Sequence, residues 1–415
     1  MVVHRGRWTL EDRARHVVQA LPVTVAAGTA ALTVELEYPR EAGVLDLGCA
    51  GPAGFRGWSG GARHHYTVTA DWATPGYLPG ELEPGEWQVL LGLHRIPPDG
   101  LDFAVTATTR TDLPPRPPPV ASPPRPDRPP RRAVPDVDGL RWLAGDLHAH
   151  TVHSDGVSTV PELAALAAAR GLDFLAVTDH NTVSHHPELP ATSAAYGIAL
   201  LPGQEVTTDR GHANVIGPVG WVDFRRPPDE WLATADRDGG LMSINHPLAA
   251  DCAWRQPLGT RTRLVEVWHS GWWDRTWGAP LAWTRAWRPD VVAVGGSDFH
   301  RPGDDALPGA PTTWVLTDGD WSRDGRSRAE HAGDAPGSAV LDGLRAGRTA
   351  VSAGPDAPLL LRLGDELLAL DADGALLGYP DGTHRVVRGD RCRLPAGDGL
   401  HVLESHRMEV IALCG

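Results

Sequence analysis

The chain has 415 residues, 41% hydrophobic and 22% charged, an ordinary make-up for a soluble globular protein with room for two or three domains. Its 52 acidic and 38 basic side chains leave a formal charge of −14. That argues against a general binder of nucleic acid or membrane surfaces, but not against a small anion held in a locally positive cleft. The sequence contains no lysine, which excludes a lysine nucleophile or Schiff base, and its four cysteines lack CxxC spacing, which argues against a disulfide scaffold and a cysteine zinc site.

The first residues, MVVHRGRWTLEDRARHVV, carry charge throughout and lack the apolar stretch of a signal peptide. No run is long enough to span a bilayer, so a cytoplasmic location without membrane partners is expected. Residues 21–109 then show short alternating segments such as ALTVELEY, HHYTVTA and WQVLLGLHRI, parted by turn clusters like PGYLPGELEPGEW. This predicts an antiparallel β-sandwich over residues 1–112. Next comes LPPRPPPVASPPRPDRPPRRAVP, too rich in proline for a helix or an interior strand, which predicts an extended linker over residues 113–138.

From residue 139 to 355 the pattern changes to alternating strands and helices. WLAGDLHAH is an apolar strand, and STVPELAALAAARG is a helix with Ser158 or Thr159 as N-cap, Pro161 and Glu162 in the first turn and Gly171 at its end. DFLAVTDH, IALLPGQEV, HANVIG, LMSINHP, LVEVWHS, VVAVGGSDFH and TTWVL follow as strands, with helical stretches near 229–237 and 280–287. Such β/α units predict an α/β fold with a mainly parallel sheet, open or closed into a barrel. Residues 356–415 return to short strands and turns and read as a small β appendage.

Imidazoles and carboxylates fall at the ends of successive strands. His148 and His150 end the first as H-A-H, a spacing that puts both side chains on one face. Asp155 follows in SDG, Asp179 and His180 end TDH, Glu205 ends GQE, His212 opens HANVIG, His246 lies in NHP, and Asp298 and His300 end SDFH. A single histidine on a strand is more often a satisfied core group than a ligand. Five separate strand ends carrying such residues point instead to a metal site on the rim where β/α folds gather their active sites. Imidazole suits Zn, Fe and Mn, carboxylates suit Mn and can bridge two ions, and so many ligands imply more than one ion.

Taken in order, GDLHAHTVHSDG, VTDHN, GQEVTT, GHANVIG, INHP and GGSDFH resemble the PHP (polymerase and histidinol phosphatase) family of metal-dependent hydrolases, and the domain arrangement is most similar to its CehA/McbA-like branch. The resemblance covers residues 140–355. It implies a distorted seven-stranded β/α barrel with two or three divalent ions (Mn, Fe or Zn). Carried onto this chain, His148 and His150 bind one ion beside Glu205 and Asp298, Glu205 bridges to a second held by His212 and His246, and a third uses Asp155, His180 and His300. Asp155 stands where many members have histidine. Asp179 is expected to orient His180 or His150 through a hydrogen bond.

The chemistry expected is hydrolysis of a small, phosphorylated ester by a metal-activated hydroxide, with His300 or His180 protonating the leaving group. Arg210 and Arg301 flank ligand motifs and are candidates to grip phosphate, whereas Arg348 reads as a surface residue. Trp272 and Trp273 follow VEVWHSG in a predicted rim loop and are candidates for substrate contact; of their neighbours, Glu266 reads as structural and His269 as able to line the site. Three alternatives remain. The first is a carboxyl or carbamate ester, as in the CehA/McbA-like branch, for which the tryptophans suit an aromatic leaving group. The second is a sandwich that binds carbohydrate or protein beside a degenerate barrel. The third is a processing exonuclease, disfavoured by the acidic charge, so no long nucleic acid is expected as partner. The sequence is silent on oligomeric state.

Overall fold

The computed structural model describes residues 1–272, 275–303, 306–318 and 337–415. The chain divides into two units. The first holds Met1–Ala121 with two later loops, Thr151–Val157 and Asp179–Pro187; the second holds Ser122–His150, Ser158–Thr178 and Glu188–Gly415.

The first unit contains two four-stranded antiparallel sheets. One runs Val2–Trp8, Leu101–Arg110, Ala31–Glu37, His65–Thr69, and the other Val18–Val25, Gly85–Arg95, Val44–Gly51, Gly54–Gly60. Alternation turns Val34 and Leu36 of one sheet, and Leu47 and Leu91 of the other, into one apolar core with Tyr66, Tyr77 and Trp87. The Val2–Trp8 strand was not legible in the sequence. It is an edge strand with no fully buried residue, so it lacks apolar alternation and owes its place to pairing with Leu101–Arg110, about a hundred residues away in sequence.

The second unit is a mixed α/β fold. Its main sheet runs Val292–Gly296, Leu264–His269, Leu241–Ile244, Gly211–Ile216, Ala199–Thr208, Phe174–Val177, Arg141–Asp146, Thr312–Thr317, Thr349–Ser352 and Val410–Cys414, then continues into the C-terminal strands. The sheet is less parallel than expected. Gly211–Ile216 pairs antiparallel with both its neighbours, because only Asp209 and Arg210 separate it from the preceding strand. A two-residue connection reverses the chain, whereas a parallel crossover needs a dozen residues or more.

Threonine hydroxyls link Val292–Gly296 to later strands. Thr313 Oγ1 accepts from Gly295 N–H (2.7 Å) and donates to Gly295 O (2.9 Å), and Thr349 Oγ1 donates to Ala293 O (2.9 Å). The first and last ligand-bearing strands also meet at their exits, where His150 N–H donates to Phe299 O (2.9 Å) and Asp298 N–H to His148 O (3.0 Å).

The Val160–Ala169 helix starts as expected, with Thr159 as N-cap in a capping box with Glu162. The helices at Pro228–Arg237 and Gly278–Trp287 also match, while Leu189–Tyr196 and Ser338–Arg345 are additional. The proline-rich segment from Ser122 has no helix or strand but is bonded to this unit: Arg128 donates to the carbonyls of Gly197 and Leu172, and Tyr196 OH to Pro123 O (2.6 Å). The C-terminal strands share a core with Trp142 and Trp314 of the main sheet, and three of them, Leu359–Leu363, Glu366–Leu370 and Arg391–Pro395, form their own sheet. Among the described residues no helix is long and apolar enough to cross a membrane.

Candidate metal centre

The strand exits of the second unit are tied together by a buried carboxylate. Asp146 accepts backbone N–H bonds from His148 (3.1 Å), Ser297 (3.1 Å) and Gly309 (2.8 Å), which fixes the exit of Arg141–Asp146 against that of Val292–Gly296. Burial pushes the Asp146 carboxyl up despite these bonds.

Above it, His148 Nδ1 lies 3.0 Å from Glu266 Oε1, and His148 Nε2 faces Asp298 Oδ1 at 3.1 Å and Glu205 Oε1 at 3.3 Å. His150 Nε2 lies 2.9 Å from the same Asp298 oxygen. Glu205 Oε1 is also approached by His212 Nδ1 (3.2 Å) and His246 Nε2 (3.2 Å), and it accepts from Asn245 Nδ2 (2.8 Å). Glu266 Oε2 accepts the His246 N–H at 2.6 Å. His300 Nδ1 is held by the Asp298 carbonyl at 2.7 Å, which leaves its Nε2 for another partner. Asp298 and His246 both have positive φ (54° and 24°), a strained backbone of the kind that collects at functional sites.

These contacts suit a cation better than a hydrogen-bond network. With Nδ1–H given to Glu266, neutral His148 presents a bare Nε2 lone pair to two carboxylate oxygens, and this buried nitrogen makes no hydrogen bond. Lone pairs repel unless a positive charge sits among them. Ligand atoms about 2.1 Å from a shared ion lie roughly 3.0–3.4 Å apart, which is the spacing found here. His148, His150 and Glu205 form one group able to hold a metal, and His148, His246 and His269 another. His269 differs in kind: Gly271 N–H donates to its Nδ1 at 3.0 Å, so in the neutral ring Nε2 carries the proton and points it at Asp298 Oδ2, 3.2 Å away.

Without an ion, a proton on His148 supplies that positive charge. Burial disfavours a protonated His148, but the Asp298, Glu205 and Glu266 carboxylates outweigh it and hold its pKa well above the ordinary value; His246 is raised in the same way, chiefly by Glu205. Burial likewise works against Asp298 and Glu266 as anions, yet the surrounding imidazoles keep Asp298 well below the usual range and Glu266 below it. A bound cation therefore displaces protons from imidazoles.

In metal-stripped protein the raised histidines contribute stability that is fully present below about pH 6.5 and is lost as pH climbs through their folded values. The lowered carboxylates contribute above about pH 4 and lose that contribution as pH falls through their folded values. Melting temperature in chelator is therefore expected to fall as pH rises above about 6.5, and saturating Mn should remove that slope. A stripped protein that melts higher at alkaline pH would contradict this charge balance.

In the first unit Asp155 Oδ1 and His180 Nε2 pair at 3.5 Å. Asp179 accepts from Thr151 N–H (2.8 Å), Thr151 OH (2.7 Å) and Ser154 OH (2.6 Å), and lies 3.2 Å from His185 Nδ1. Sandwich residue Asp46, pushed up to about 6 by desolvation, also feels the charges of His94, His180 and Asp155.

The candidate substrate groups stand further out. Arg210 is exposed and donates to Arg255 O at 3.2 Å, and Arg301 is exposed. Trp272 is half-buried, with its indole N–H on Val267 O (2.9 Å) and its ring 5.4 Å from that of His269. Trp273 lies outside the described residues. Sequence reasoning passed over Asp146, Asn245 and the partnership of Glu266 with His148. The signal for Glu266 was present: an acid inside the fully buried strand Leu264–His269 needs a specific partner.

Residues 146–249 match the family description "PHP domain", which begins at Asp146 and takes in every ligand candidate from His148 to His246. This part of the chain is a PHP domain. An uncharacterized protein of Methanocaldococcus jannaschii is 27% identical over 132 residues, 29% of this chain and 74% of that protein. A 5'-3' exoribonuclease of Haemophilus influenzae is 39% identical over 64 residues, 15% of this chain and 23% of the enzyme. An error-prone DNA polymerase of Symbiobacterium thermophilum is 36% identical over 85 residues, 19% of this chain and 8% of the polymerase. The chain thus spans under a quarter of the length of those last two. Among solved structures, a two-domain protein of Bacteroides vulgatus described as containing a predicted PHP-like metal-dependent phosphoesterase is 19% identical, with 69% of this chain and 91% of that one covered and a TM-score of 0.40. A putative metal-dependent phosphoesterase of Bifidobacterium adolescentis is 19% identical over 39% of this chain and 90% of its own, with a TM-score of 0.31.

Proposed function

We propose that this chain is a metal-dependent hydrolase that cleaves a small phosphate mono- or diester. The observation that carries the reading is the environment of Glu205 Oε1, which three imidazole nitrogens approach at 3.2–3.3 Å. In this reading His148, His150 and Asp298 hold one divalent ion with Glu205, and Glu205 is shared with a second ion on His212 and His246. Asp155, His180 and His300 hold a third, and the ligand-bearing strands make up the distorted seven-stranded barrel. When bound, the ions supply Lewis acidity and an activated water near neutral pH.

The protein groups do the rest. Glu266 and Asn245 fix His148 and Glu205 in the orientations that ligation requires, and His269 holds the outer oxygen of Asp298. Water attacks phosphorus and the ester P–O bond breaks; where the third ion position is not filled, protonated His180 or His300 gives its proton to the leaving oxygen. Asp179 keeps the His180 loop in place. Arg210 and Arg301 supply positive charge at the outer edge for a phosphate group. The resemblance to two relatives named for nucleic-acid chemistry supports phosphoester over carboxyl-ester cleavage.

A second reading, a carboxyl or carbamate ester hydrolase of CehA/McbA type, is favoured by Trp272, which lies edge-on to His269 and suits an aromatic leaving group. The test is product release by Mn-loaded protein on phosphate mono- and diesters, a short single-stranded RNA, aryl carboxyl esters and carbamates. Phosphate release that stops with chelator, and that weakens in Arg210→Ala, is expected. Turnover of only the carboxyl or carbamate compounds, unchanged in Arg210→Ala, would replace the first reading by the second, and cleavage confined to RNA would replace the small substrate by a polynucleotide.

A further inference from the structure

The N-terminal sheets supply none of the ligands assigned above, yet two loops of the PHP region, Thr151–Val157 and Asp179–Pro187, fold within the same unit as those sheets. The bonds that hold them are specific. The Arg63 guanidinium donates to the Val152 carbonyl and, at 3.5 Å, to that of Ser154, the residue before Asp155. Gly76 N–H donates to Ser184 Oγ (3.0 Å), and the Thr182 hydroxyl donates to Gly76 O (2.8 Å), just after His180 in the chain. The Gly76 turn has no room for a side chain: φ is +98°, and a Cβ there would lie 2.8 Å from His153 O. The loops are then bonded to each other. Thr151 and Ser154 donate to Asp179, and His153 Nδ1 lies 2.7 Å from Ser184 Oγ.

We propose that the N-terminal sandwich is a positioning element of the metal centre, in which Arg63 and the Gly76 turn order the two loops so that Asp155 and His180 stand together as one ligand pair. The inference rests on the reading that these two residues bind an ion. Two short loops left to themselves would lose backbone freedom each time an ion bound; a planar guanidinium fork across two carbonyls removes that penalty in advance. Arg63 is a positioning residue and touches neither ion nor substrate.

The experiment is equilibrium Mn binding to the full-length chain, read as ions per chain and as the affinity of the weakest ion, with melting temperature measured alongside. Asp155→Ala is expected to lose one ion. Arg63→Met should lose the same ion or bind it about tenfold more weakly or worse, as supporting residues of metal ligands do, with the other ions unchanged and Arg63→Lys falling between. Val34→Ala, which opens a cavity in the same sandwich core away from the loops, should melt lower and keep its full metal content. Arg63→Met with wild-type metal binding, while Asp155→Ala loses an ion, would overturn the inference. So would equal metal loss in Val34→Ala, which would reduce the effect to general unfolding. Full metal content in Asp155→Ala would instead overturn the reading on which the inference rests, and the inference with it.

Discussion

Glu205→Gln is expected to abolish turnover, a loss of roughly 10³-fold or more, or about 4 kcal/mol of barrier, and to lower bound metal by at least one ion per chain. Glutamine keeps the volume of glutamate, so packing around this fully buried side chain survives. What changes is charge and donor direction. Oε1 is the point on which His148 Nε2, His212 Nδ1 and His246 Nε2 converge, and a neutral amide would neither balance nor bridge the two cations proposed for this site as a carboxylate would. The metal-free variant should melt somewhat lower than metal-free wild type below about pH 6.5, because protonated His148 and His246 lose the carboxylate that helps hold them, and the gap should close as pH rises. Metal content by elemental analysis, activity and melting temperature in chelator test the three parts together. Full activity with full metal content would remove Glu205 from the centre, and a collapse of the metal-free fold would show that Glu205 acts structurally.

The second large effect comes from a residue with no side chain. Gly296 ends the strand before Asp298, and a Cβ there would lie 1.9 Å from Glu266 Oε1 and 2.6 Å from His148 Cβ. Gly296→Ala must therefore drive Glu266 off His148 Nδ1 or shift the strand. Overpacking of this kind costs about 1–3 kcal/mol of stability. Losing the carboxylate that orients a metal-bound imidazole costs about 10–100-fold in metal affinity. The two effects separate in a cycle. Glu266→Ala alone should weaken metal binding by a similar factor. Gly296→Ala combined with Glu266→Ala should cost less stability than the two single changes summed, since the contact with His148 Cβ remains but that with Glu266 is gone, without recovering metal binding. A double variant with normal metal affinity would show that Glu266 does not orient His148. A stable Gly296→Ala with normal affinity would show that the strand moves aside freely.

Much of the fold was legible because its signals are local. The Thr159 capping box and the alternation of Ala31–Glu37 each lie within a dozen residues. The antiparallel turn of Gly211–Ile216 was legible in principle from its two-residue connection, but the general β/α rhythm of the region outweighed it. Val2–Trp8 was not legible, since an edge strand rich in Arg and His carries no period-two pattern and is defined by a partner far along the chain.

At the site the same division holds, for a physical reason. The sequence by itself singled out the candidate donors: His148, His150, Asp155, His180, Glu205, His212, His246, Asp298 and His300 stand out because imidazole and carboxylate at strand ends are costly to bury without a shared task. Only the tertiary structure decided how those donors are held. The Glu266–His148 contact joins residues 118 apart, Asp146 ties its own strand to a backbone amide 151 residues later, and Arg63 reaches Val152 across 89 residues. No local periodicity encodes such pairings. They exist because the sheet's topology delivers distant strand exits to one place, and because a buried charge, once delivered there, must find the partner that the fold has put within reach.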